Sequence, residues 1–261
     1  MATSDAPISI GSVSLIVNDL VKVRDFYKDA LGLNVLTSSK TESTLGQGDT
    51  VLLKLNEDKQ ARQYPREAGL FHTAFLLPDR ASLGSWLIHV DSTGVELDGA
   101  ADHLVSEALY LTDPEGNGIE VYADRDRSQW SMTAGKIKMA TNQLDLVELA
   151  SAANENWDGM PDRSVIGHVH LQVGNVGGAD AFYRDKLGFE HTAGSDRLGF
   201  YGSGGYHHHI GCNTWHSRGS THKPSDAAGI SEFELRLTTP LFDVGEMVDP
   251  WGLNVRLSHA A

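Results

Sequence analysis

Histidine is the residue type that stands out in this chain, which holds 12 histidines among 261 residues. Imidazole is the commonest metal ligand in proteins and changes charge near neutral pH, so well-placed histidines indicate metal binding or proton transfer. The histidines that occur beside strand-like apolar residues are His72, His168, His170, His207, His208 and His209. A lone histidine of this kind is more often a packed core residue, and a lone acid such as Glu120 is more often a surface residue. Their positions in the fold must therefore show whether they are packing residues or take part in metal binding or proton transfer.

The elements that would position these residues are repeated along the chain. The segment 15–33 recurs as the segment 171–189, so that Tyr27 and Tyr183 occupy equivalent places 156 positions apart. Both copies read as an alternating strand, a short turn and an amphipathic helix that ends at a glycine. The Phe–Tyr pair in each copy falls at helical spacing and is predicted to pack in the core.

Two further units end in a different signature, a D-P-x-G turn that leads into a last strand. One runs over residues 69–122 and the other over residues 229–257. The second of these is so short that we expect it to lack its helix. The four units are predicted at residues 7–57, 68–124, 163–214 and 228–259.

These units group into larger segments. We predict an N-terminal module over residues 1–124, a polar linker over 125–162 with a helix at 139–153, and a C-terminal module over 163–261. Because one unit alone would leave a face of its sheet exposed, the units must pair. The predicted fold class is therefore α+β, with four repeated βαβββ-type units forming two paired modules whose curved mixed sheets surround a cavity.

Composition excludes several classes of function. The net charge of −14 would repel phosphates, so neither a nucleic acid nor an anionic membrane is expected as a partner. No apolar run approaches the roughly 20 residues that span a bilayer, and no secretory signal is evident. Cys212 is the only cysteine, which excludes an intramolecular disulfide and favours a reducing cytoplasm. The sequence leaves open whether the chain forms a homo-oligomer.

The chain resembles the vicinal-oxygen-chelate superfamily, which includes glyoxalases, bleomycin-resistance proteins and extradiol dioxygenases. The resemblance lies in the four-unit layout, the G-x-V-x-L-x-V strand starts and the D-P-x-G-N-x-I-E ending. Two runs, Asp102–Leu111 and Gly204–Gly211, are similar to the bacterial catechol-2,3-dioxygenase branch and are the most specific part of the resemblance. It covers nearly the whole chain except the linker.

The resemblance implies that each unit can offer one metal ligand on its first strand and another on its last. The second unit keeps both, His72 and Glu120, and the third keeps His168. Serine is a poor ligand and arginine is a cation, so the first and fourth units cannot complete a metal site. Their corresponding places hold Ser12, Glu232 and Arg256.

Two imidazoles and a carboxylate form the facial triad of non-haem Fe(II) oxygenases, which leaves positions open for substrate and O2. Because the remaining ligands lie in the second and third units, we expect these two units to share the cavity that holds the metal site. The first and fourth units would form a metal-free counterpart, in which Glu232 pairs with Arg256. His170 lies two residues beyond His168 on the same strand face and is a rival ligand, although the resemblance favours His168.

Extradiol enzymes also place two histidines and a tyrosine around the iron, and this chain has candidates at matching places. His208 would act as an acid–base group near O2, and His103 or Tyr110 would help to manage a substrate proton. His207 and His209 alternate with His208 along a predicted strand, so only one side of the trio faces the site. Tyr110 is equally well explained as an ordinary strand aromatic.

Together these features predict an extradiol dioxygenase, which uses Fe(II) and O2 to cleave the ring of a catechol-type substrate. A glyoxalase- or epimerase-like metal lyase is the first alternative, and it would need a fourth protein ligand that a histidine at 207–209 could supply. A binding protein of the bleomycin-resistance type is the second, and the full ligand set counts against it. The candidates for pocket walls are Phe200, Tyr201, Trp215 and Trp251.

Overall fold

The computed structural model describes residues 6–133, 135–238 and 243–260. Elements of the first two units and the linker are β1 (Ile8–Val17), α1 (Leu20–Leu31), β2 (Asn34–Ser38), β3 (Glu42–Gln47), β4 (Thr50–Glu57), β5 (Gly69–Leu76), α2 (Arg80–Thr93), β6 (Gly99–Asp102), β7 (Ser106–Thr112), β8 (Gly118–Asp124), β9 (Met132–Thr133), β10 (Lys136–Ile137) and α3 (Leu146–Ser151). Those of the third and fourth units are β11 (Val165–Gln172), α4 (Val176–Ala179), β12 (Glu190–Ser195), β13 (Leu198–Gly202), β14 (Ile210–Asn213), β15 (Gly229–Leu237), β16 (Gly245–Val248) and β17 (Asn254–His259).

Two large mixed sheets organise the molecule. Sheet 1 has seven strands in the order β16-β17-β15-β1-β4-β3-β2, and sheet 2 has eight in the order β12-β13-β14-β11-β5-β8-β7-β6. Sheet 1 therefore joins the first and fourth units, and sheet 2 joins the second and third. This arrangement confirms the predicted α+β fold class and the predicted pairing of the second unit with the third.

Each sheet takes strands from both sides of the linker. The division of the chain into modules at 1–124 and 163–261 stays a prediction about sequence segments. The fourth unit is abbreviated as expected, and its described residues hold three strands and no helix.

Local sequence explains where the helices begin and end. Helix α1 begins after Asp19, whose side chain accepts a hydrogen bond from the Lys22 amide, and ends at Gly32, which has a φ of 70°. Helix α2 repeats this design with Asp79 and Gly94. In the third unit, α4 continues directly into a π-helical stretch over Asp180–Lys186.

The linker departs from the prediction. The helix expected over 139–153 is confined to Leu146–Ser151, where Asp145 caps its first turn by accepting a hydrogen bond from the Glu148 amide. The residues before Asp145 are drawn into extended structure, because Asn142 exchanges two backbone hydrogen bonds with Asp102 at the end of β6. Part of the linker thus joins sheet 2 and lies beside the site described below.

Most buried apolar residues form one core, which includes Tyr27, Phe182 and Tyr183 of the predicted aromatic pairs, while Phe26 is partly buried and packs against it. A small second cluster consists of Ala74, Leu76, Ala108 and Tyr122. Cys212 is a buried free thiol. In the described part of the chain, no helix combines the length and the hydropathy needed to cross a membrane.

Candidate metal centre and active site

Three donor side chains meet on adjacent strands in the middle of sheet 2, His72 on β5, Glu120 on β8 and His168 on β11. The two Nε2 atoms are 3.2 Å apart, and Glu120 Oε2 lies 2.9 Å from that of His72 and 3.1 Å from that of His168. The exposed fractions are 6%, 3% and 2% for His72, Glu120 and His168. Within the described residues they are the one group that could hold a metal ion. The structure thus brings together all three residues that the sequence predicted as ligands.

Strand register explains why the three side chains converge. Ala74 on the central strand pairs with Glu120 on one side and with His168 on the other. Residues that pair across a sheet point to the same face, so the small Ala74 methyl group leaves the space between the two ligands open. The register of β11 shifts at Gly167, where a Cβ atom would overlap the Tyr122 hydroxyl. A glycine is therefore required immediately before His168.

The spacing of the donor atoms fits a six-coordinate metal. At a metal–ligand distance of about 2.1 Å, two ligands at a right angle lie about 3.0 Å apart. The three separations observed here are 2.9, 3.1 and 3.2 Å, so the atoms can occupy one triangular face of an octahedron. Two imidazoles and one carboxylate on such a face are the donor set of non-haem Fe(II) oxygenases. The residues present therefore fit Fe(II).

Electrostatics prepares the donors to bind a cation. Burial lowers the pKa of His168 to about 4, even though the neighbouring Glu120 carboxylate acts in the opposite direction. Burial raises the pKa of Glu120, but His168 and His72 outweigh this effect and hold it well below its usual value. At neutral pH the His168 lone pair is consequently free and Glu120 is ionised, which is the state that metal binding requires.

The rival ligand His170 is engaged elsewhere. Its Nε2 atom lies 3.2 Å from the Asn213 amide nitrogen, which donates to it. The orientation of this amide is fixed because the Asn213 oxygen accepts a hydrogen bond from the Trp215 backbone amide at 3.0 Å. The His170 ring also packs against Gly211, where a Cβ atom would lie 2.9 Å from the ring. His170 therefore forms a wall of the site, outside the group of three donors.

Two of the predicted helper residues form a hydrogen-bonded pair beside the donors. His103 Nε2 is 2.6 Å from the Tyr110 hydroxyl, and His103 Nδ1 is 2.7 Å from the backbone oxygen of Ala140 in the linker. Tyr110 pairs with Glu120 across β7 and β8, which places its ring 5.8 Å from that of His72. Burial and the Glu120 charge raise the pKa of Tyr110 far above its usual value. Tyr110 therefore stays protonated at neutral pH.

The histidine trio differs from the prediction. His207, His208 and His209 lie in an irregular segment before β14, not on a strand, and all three are buried. The alternation of facing that was predicted for a strand therefore does not apply. His208 is the member beside the donors, with its ring centroid 4.1 Å from that of His168. His209 faces away and accepts a hydrogen bond from the Ser203 amide.

Asp124 completes a chain of hydrogen bonds that the sequence did not predict. His207 Nε2 lies 2.9 Å from Asp124 Oδ1, and His207 Nδ1 lies 2.8 Å from His208 Nδ1. Because the carboxylate can only accept, Nε2 of a neutral His207 carries the proton and its Nδ1 accepts one from His208 Nδ1. Nε2 of His208 is then the ring nitrogen left without a proton. No spacing in the sequence indicated that the last residue of β8 meets His207.

A cavity of about 450 Å³ opens over the three donors. Two of the predicted walls, Phe200 and Trp215, line it. The other two do not: Tyr201 is buried, with its hydroxyl on Asp180, and Trp251 packs against Gly178. The polar part of the lining is formed by His72, His103, Ser106, Tyr110, Glu120, Thr141, His168, His170 and His208, and the apolar part by Phe71, Met139, Ala140, Leu198, Phe200 and Trp215.

The corresponding place in sheet 1 is filled by an ion-pair cluster. Arg256 Nε is 3.0 Å from Glu232, as predicted, and its Nη1 is 3.0 Å from Glu234. Ser12 donates a hydrogen bond to Glu234 at 3.1 Å. The sequence missed Glu234, because only the places expected to carry ligands were compared between units.

Comparison with known proteins places this geometry in a family. A family model described as the Glyoxalase/Bleomycin resistance protein/Dioxygenase superfamily matches residues 9–121. A catechol-2,3-dioxygenase from Bacillus subtilis (strain 168) is 41% identical over 236 residues, which cover 87% of this chain and 82% of that protein.

More distant likenesses agree with this placement. The metallothiol transferase FosB from Staphylococcus epidermidis is 25% identical over 43% of this chain and 81% of its own length. The crystal structure of glyoxalase I from Zea mays has the same fold, with a TM-score of 0.58 at 15% identity over 97% of this chain and 92% of its own. This chain belongs to the glyoxalase/bleomycin-resistance/dioxygenase superfamily.

Proposed function

We propose that this protein is an extradiol ring-cleaving dioxygenase, which uses Fe(II) and O2 to cleave a catechol-type aromatic substrate. The observation that carries the proposal is the buried group of His72, Glu120 and His168, which opens onto a cavity lined by His208, His103 and Tyr110. The 41% identity to a protein named catechol-2,3-dioxygenase supports the same activity. The proposal entails Fe(II) as the cofactor, a catechol and O2 as the small-molecule partners, and the cytoplasm as the location.

His72, His168 and Glu120 would hold the iron, which when bound supplies the electron-transfer chemistry that lets O2 react with a catechol ring. The three donors would leave the cavity beside them for a catechol-type substrate and O2. The three donors are themselves buried, which strengthens the electrostatic interactions among them.

His103 and Tyr110 would receive one hydroxyl group of the catechol. The Ala140 oxygen can only accept, so a neutral His103 carries its proton on Nδ1 and accepts the Tyr110 proton at Nε2. The Tyr110 oxygen then has a lone pair available to accept a hydrogen bond from the substrate. This arrangement orients the hydroxyl group and stabilises it as its proton leaves.

His208 would exchange a proton with the reacting oxygens. The chain of hydrogen bonds through His207 to Asp124 leaves its Nε2 without a proton, so His208 can act first as a base and later as an acid. When Nε2 gains a proton, the Asp124 carboxylate two residues along the chain of bonds stabilises the positive charge. In this scheme His208 contacts the substrate. His207 and Asp124 do not, and they act by setting the proton positions of His208.

One observation favours the second candidate, a metal lyase with four protein ligands. His208 packs 4.1 Å from the ring of His168, which is close enough for a small movement to bring it to the metal. Against this, its Nδ1 is engaged with His207 and the group of donors comprises three residues in the described part of the chain. The dioxygenase is therefore the better-supported function.

The test is to load the purified protein, without a histidine tag, with Fe(II) under anaerobic conditions and then to add catechol and air. We expect one equivalent of bound iron, catechol-dependent O2 consumption and a yellow ring-opened product. Absence of O2 uptake by the iron-loaded protein across several catechols would refute the dioxygenase. Two equivalents of iron lost together with activity would refute the single site.

A further inference from the structure

The cavity is larger than a catechol ring requires. Its volume is about 450 Å³, whereas an apolar cavity of about 150 Å³ is sufficient to hold a benzene-sized ring. The donors and the polar helpers lie together at one part of the lining, so a catechol bound there leaves room for a second group of about its own size. Pockets of this volume suit larger ligands than a single ring.

The remaining space is bounded by an aromatic wall, which we define as Phe71, His170, Phe200 and Trp215. Phe71 meets Trp215 edge-to-face at 5.2 Å, and the His170 ring lies 5.0 Å from Phe71 and 5.9 Å from Phe200. Trp215 is 42% exposed and stands at the mouth of the cavity. Such a wall offers faces and edges for stacking with a further ring and gains by being covered from water.

The lining holds no positive side chain. Among the described residues that line the cavity there is neither lysine nor arginine. Two partly buried guanidinium groups elsewhere in this half of the molecule are already paired, since Arg80 and Arg125 both bond to Glu107. The charge of a bound Fe(II) would be offset by Glu120 and by the catechol oxygens. A carboxylate on the substituent would find no basic side chain in this lining and would lose part of its hydration against the aromatic wall, which is costly.

From size, wall and charge we infer that this site takes an uncharged catechol carrying an apolar, ring-sized substituent, and that it discriminates against carboxylated catechols. The inference rests on the proposed function and specifies its substrate class. The catechol end is held by the polar side chains, and the substituent lies along the aromatic wall towards Trp215. Stacking on the aromatic wall favours substrates with a second ring. An unpaired charge disfavours those whose second ring carries a carboxylate.

The experiment uses the iron-loaded protein with catechol and with three substituted catechols, methylcatechol, phenylcatechol and carboxyphenylcatechol, the substituted ones each as the 3- and the 4-isomer. The last two compounds share the second ring and differ in the carboxylate that one of them carries. We expect kcat/KM for phenylcatechol to exceed that for catechol by roughly 10–100-fold, because extra apolar contact in a pocket is worth factors of this order. The carboxyphenyl compound should fall at least about 10-fold below its uncharged match. Dissociation constants measured anaerobically by calorimetry should follow the same order without turnover.

Two variants locate the cause in the wall. Trp215→Ala should lower the ratio of phenylcatechol to catechol in kcat/KM by about 5–10-fold, and Trp215→Phe should restore most of it. Leu198→Arg should raise the ratio of the carboxyphenyl to the phenyl compound, since it supplies a counter-charge at the cavity.

The outcomes separate the two proposals. If catechol is cleaved and the carboxyphenyl compound is cleaved as well as or better than the phenyl compound, the inference is overturned and the proposed dioxygenase activity is retained. A phenylcatechol that is cleaved and bound less well than catechol would overturn it too. If no catechol is cleaved at all, the proposed function fails and the inference falls with it.

Discussion

The two sheets place different chemistry at the same register positions. In sheet 2, Ala74 pairs with Glu120 across the parallel strands β5 and β8. In sheet 1, Glu234 pairs with Arg256 across the parallel strands β15 and β17. Arg256 stands in sheet 1 where sheet 2 has Glu120, and Glu234 stands where sheet 2 has Ala74. The same scaffold thus gives three convergent donors in one sheet and a self-neutralised ion cluster in the other.

The two sheets also differ in whether the space between the equivalent positions is open or occupied. In sheet 2 the small Ala74 side chain keeps the centre open, whereas in sheet 1 the Glu234 carboxylate occupies it and packs so closely on Gly11 that a Cβ atom there would overlap it. Arg256 then binds both Glu232 and Glu234. The two places therefore differ both in their side chains and in whether the centre between the strands is filled.

The largest difference between the sheets should appear on removal of one carboxylate. Glu120→Gln should weaken iron binding by more than about 100-fold, since even the partners of metal ligands are worth 10–100-fold, and turnover should be lost with the metal. The matched control is Glu232→Gln, the same change at a candidate ligand place of sheet 1, which should retain one equivalent of iron. Metal analysis of both variants checks this, and iron loss in the control would contradict the assignment.

A second change separates holding the metal from using it. His208→Asn should keep iron and bind catechol but lower kcat by about 10²–10⁴-fold, the usual scale for a positioned acid–base group. The loss should fall on kcat, because His208 is engaged after substrate binds. Paired measurements of iron content and O2 consumption decide the matter, and a parallel loss of iron would support the four-ligand lyase.

A smaller effect is expected one step further from the reaction. Asp124→Asn can donate to His207 Nε2, which would reverse the proton positions along His207 and His208 and leave a proton on the nitrogen that faces the site. We expect kcat to fall by about 10–100-fold with KM and iron content little changed. Tyr206→Phe is the control, because it removes the other hydrogen bond to Asp124 Oδ1 and leaves that of His207. Equal kinetic losses in both variants would indicate a merely structural role.

The smallest effect on catalysis should come from sheet 1. Arg256→Met removes the arginine partner of Glu232 and one of the two arginine partners of the buried Glu234. It should cost about 1–3 kcal/mol of unfolding free energy at neutral pH, while iron content and turnover persist. Burial raises the pKa of Glu234, but Ser258, Arg236 and Arg256 together hold it below its usual value.

The pH dependence of this cost has a definite sign. A carboxylate with a lowered pKa in the folded state stabilises the protein above its unfolded pKa of about 4.3, and this contribution is lost as the pH falls through the folded value. The difference in stability between wild type and Arg256→Met should therefore shrink below about pH 4. Urea denaturation at several pH values measures it, and a difference that grows on acidification would contradict this account.

Much of the fold could be predicted because repeats and turns carry local information. The glycine-ended helices and the D-P-x-G turns marked all four units, and the surviving ligands in the second and third indicated which units pair. The helix in the linker was overextended because a backbone exchange between Asn142 and Asp102 overrides local helical preference. Such long-range hydrogen bonds leave no trace in the periodicity of a single segment.

The candidate site was less uniformly predictable. The resemblance to the superfamily, read position by position along the repeated units, indicated His72, His168 and Glu120, and the paired strands of sheet 2 bring these positions together. The trio His207–His209 was misplaced on a strand, because its irregular backbone is set by buried contacts such as the one from His207 to Asp124. Of the four predicted pocket walls, Phe200 and Trp215 line the cavity and Tyr201 and Trp251 do not. An aromatic residue type does not by itself indicate whether the side chain faces the cavity or the core.

The nesting of the units has a consequence for folding. His72 and His168 in sheet 2 are 96 residues apart, whereas Ser12 and Glu234 in sheet 1 are 222 apart. The longer closure costs only about 0.7 kcal/mol more in chain entropy, but contacts of longer range form more slowly. We therefore expect sheet 2 to form first and to shorten the path that remains for sheet 1. The metal-binding residues would then be assembled, and able to capture iron, before the two ends of the chain have met.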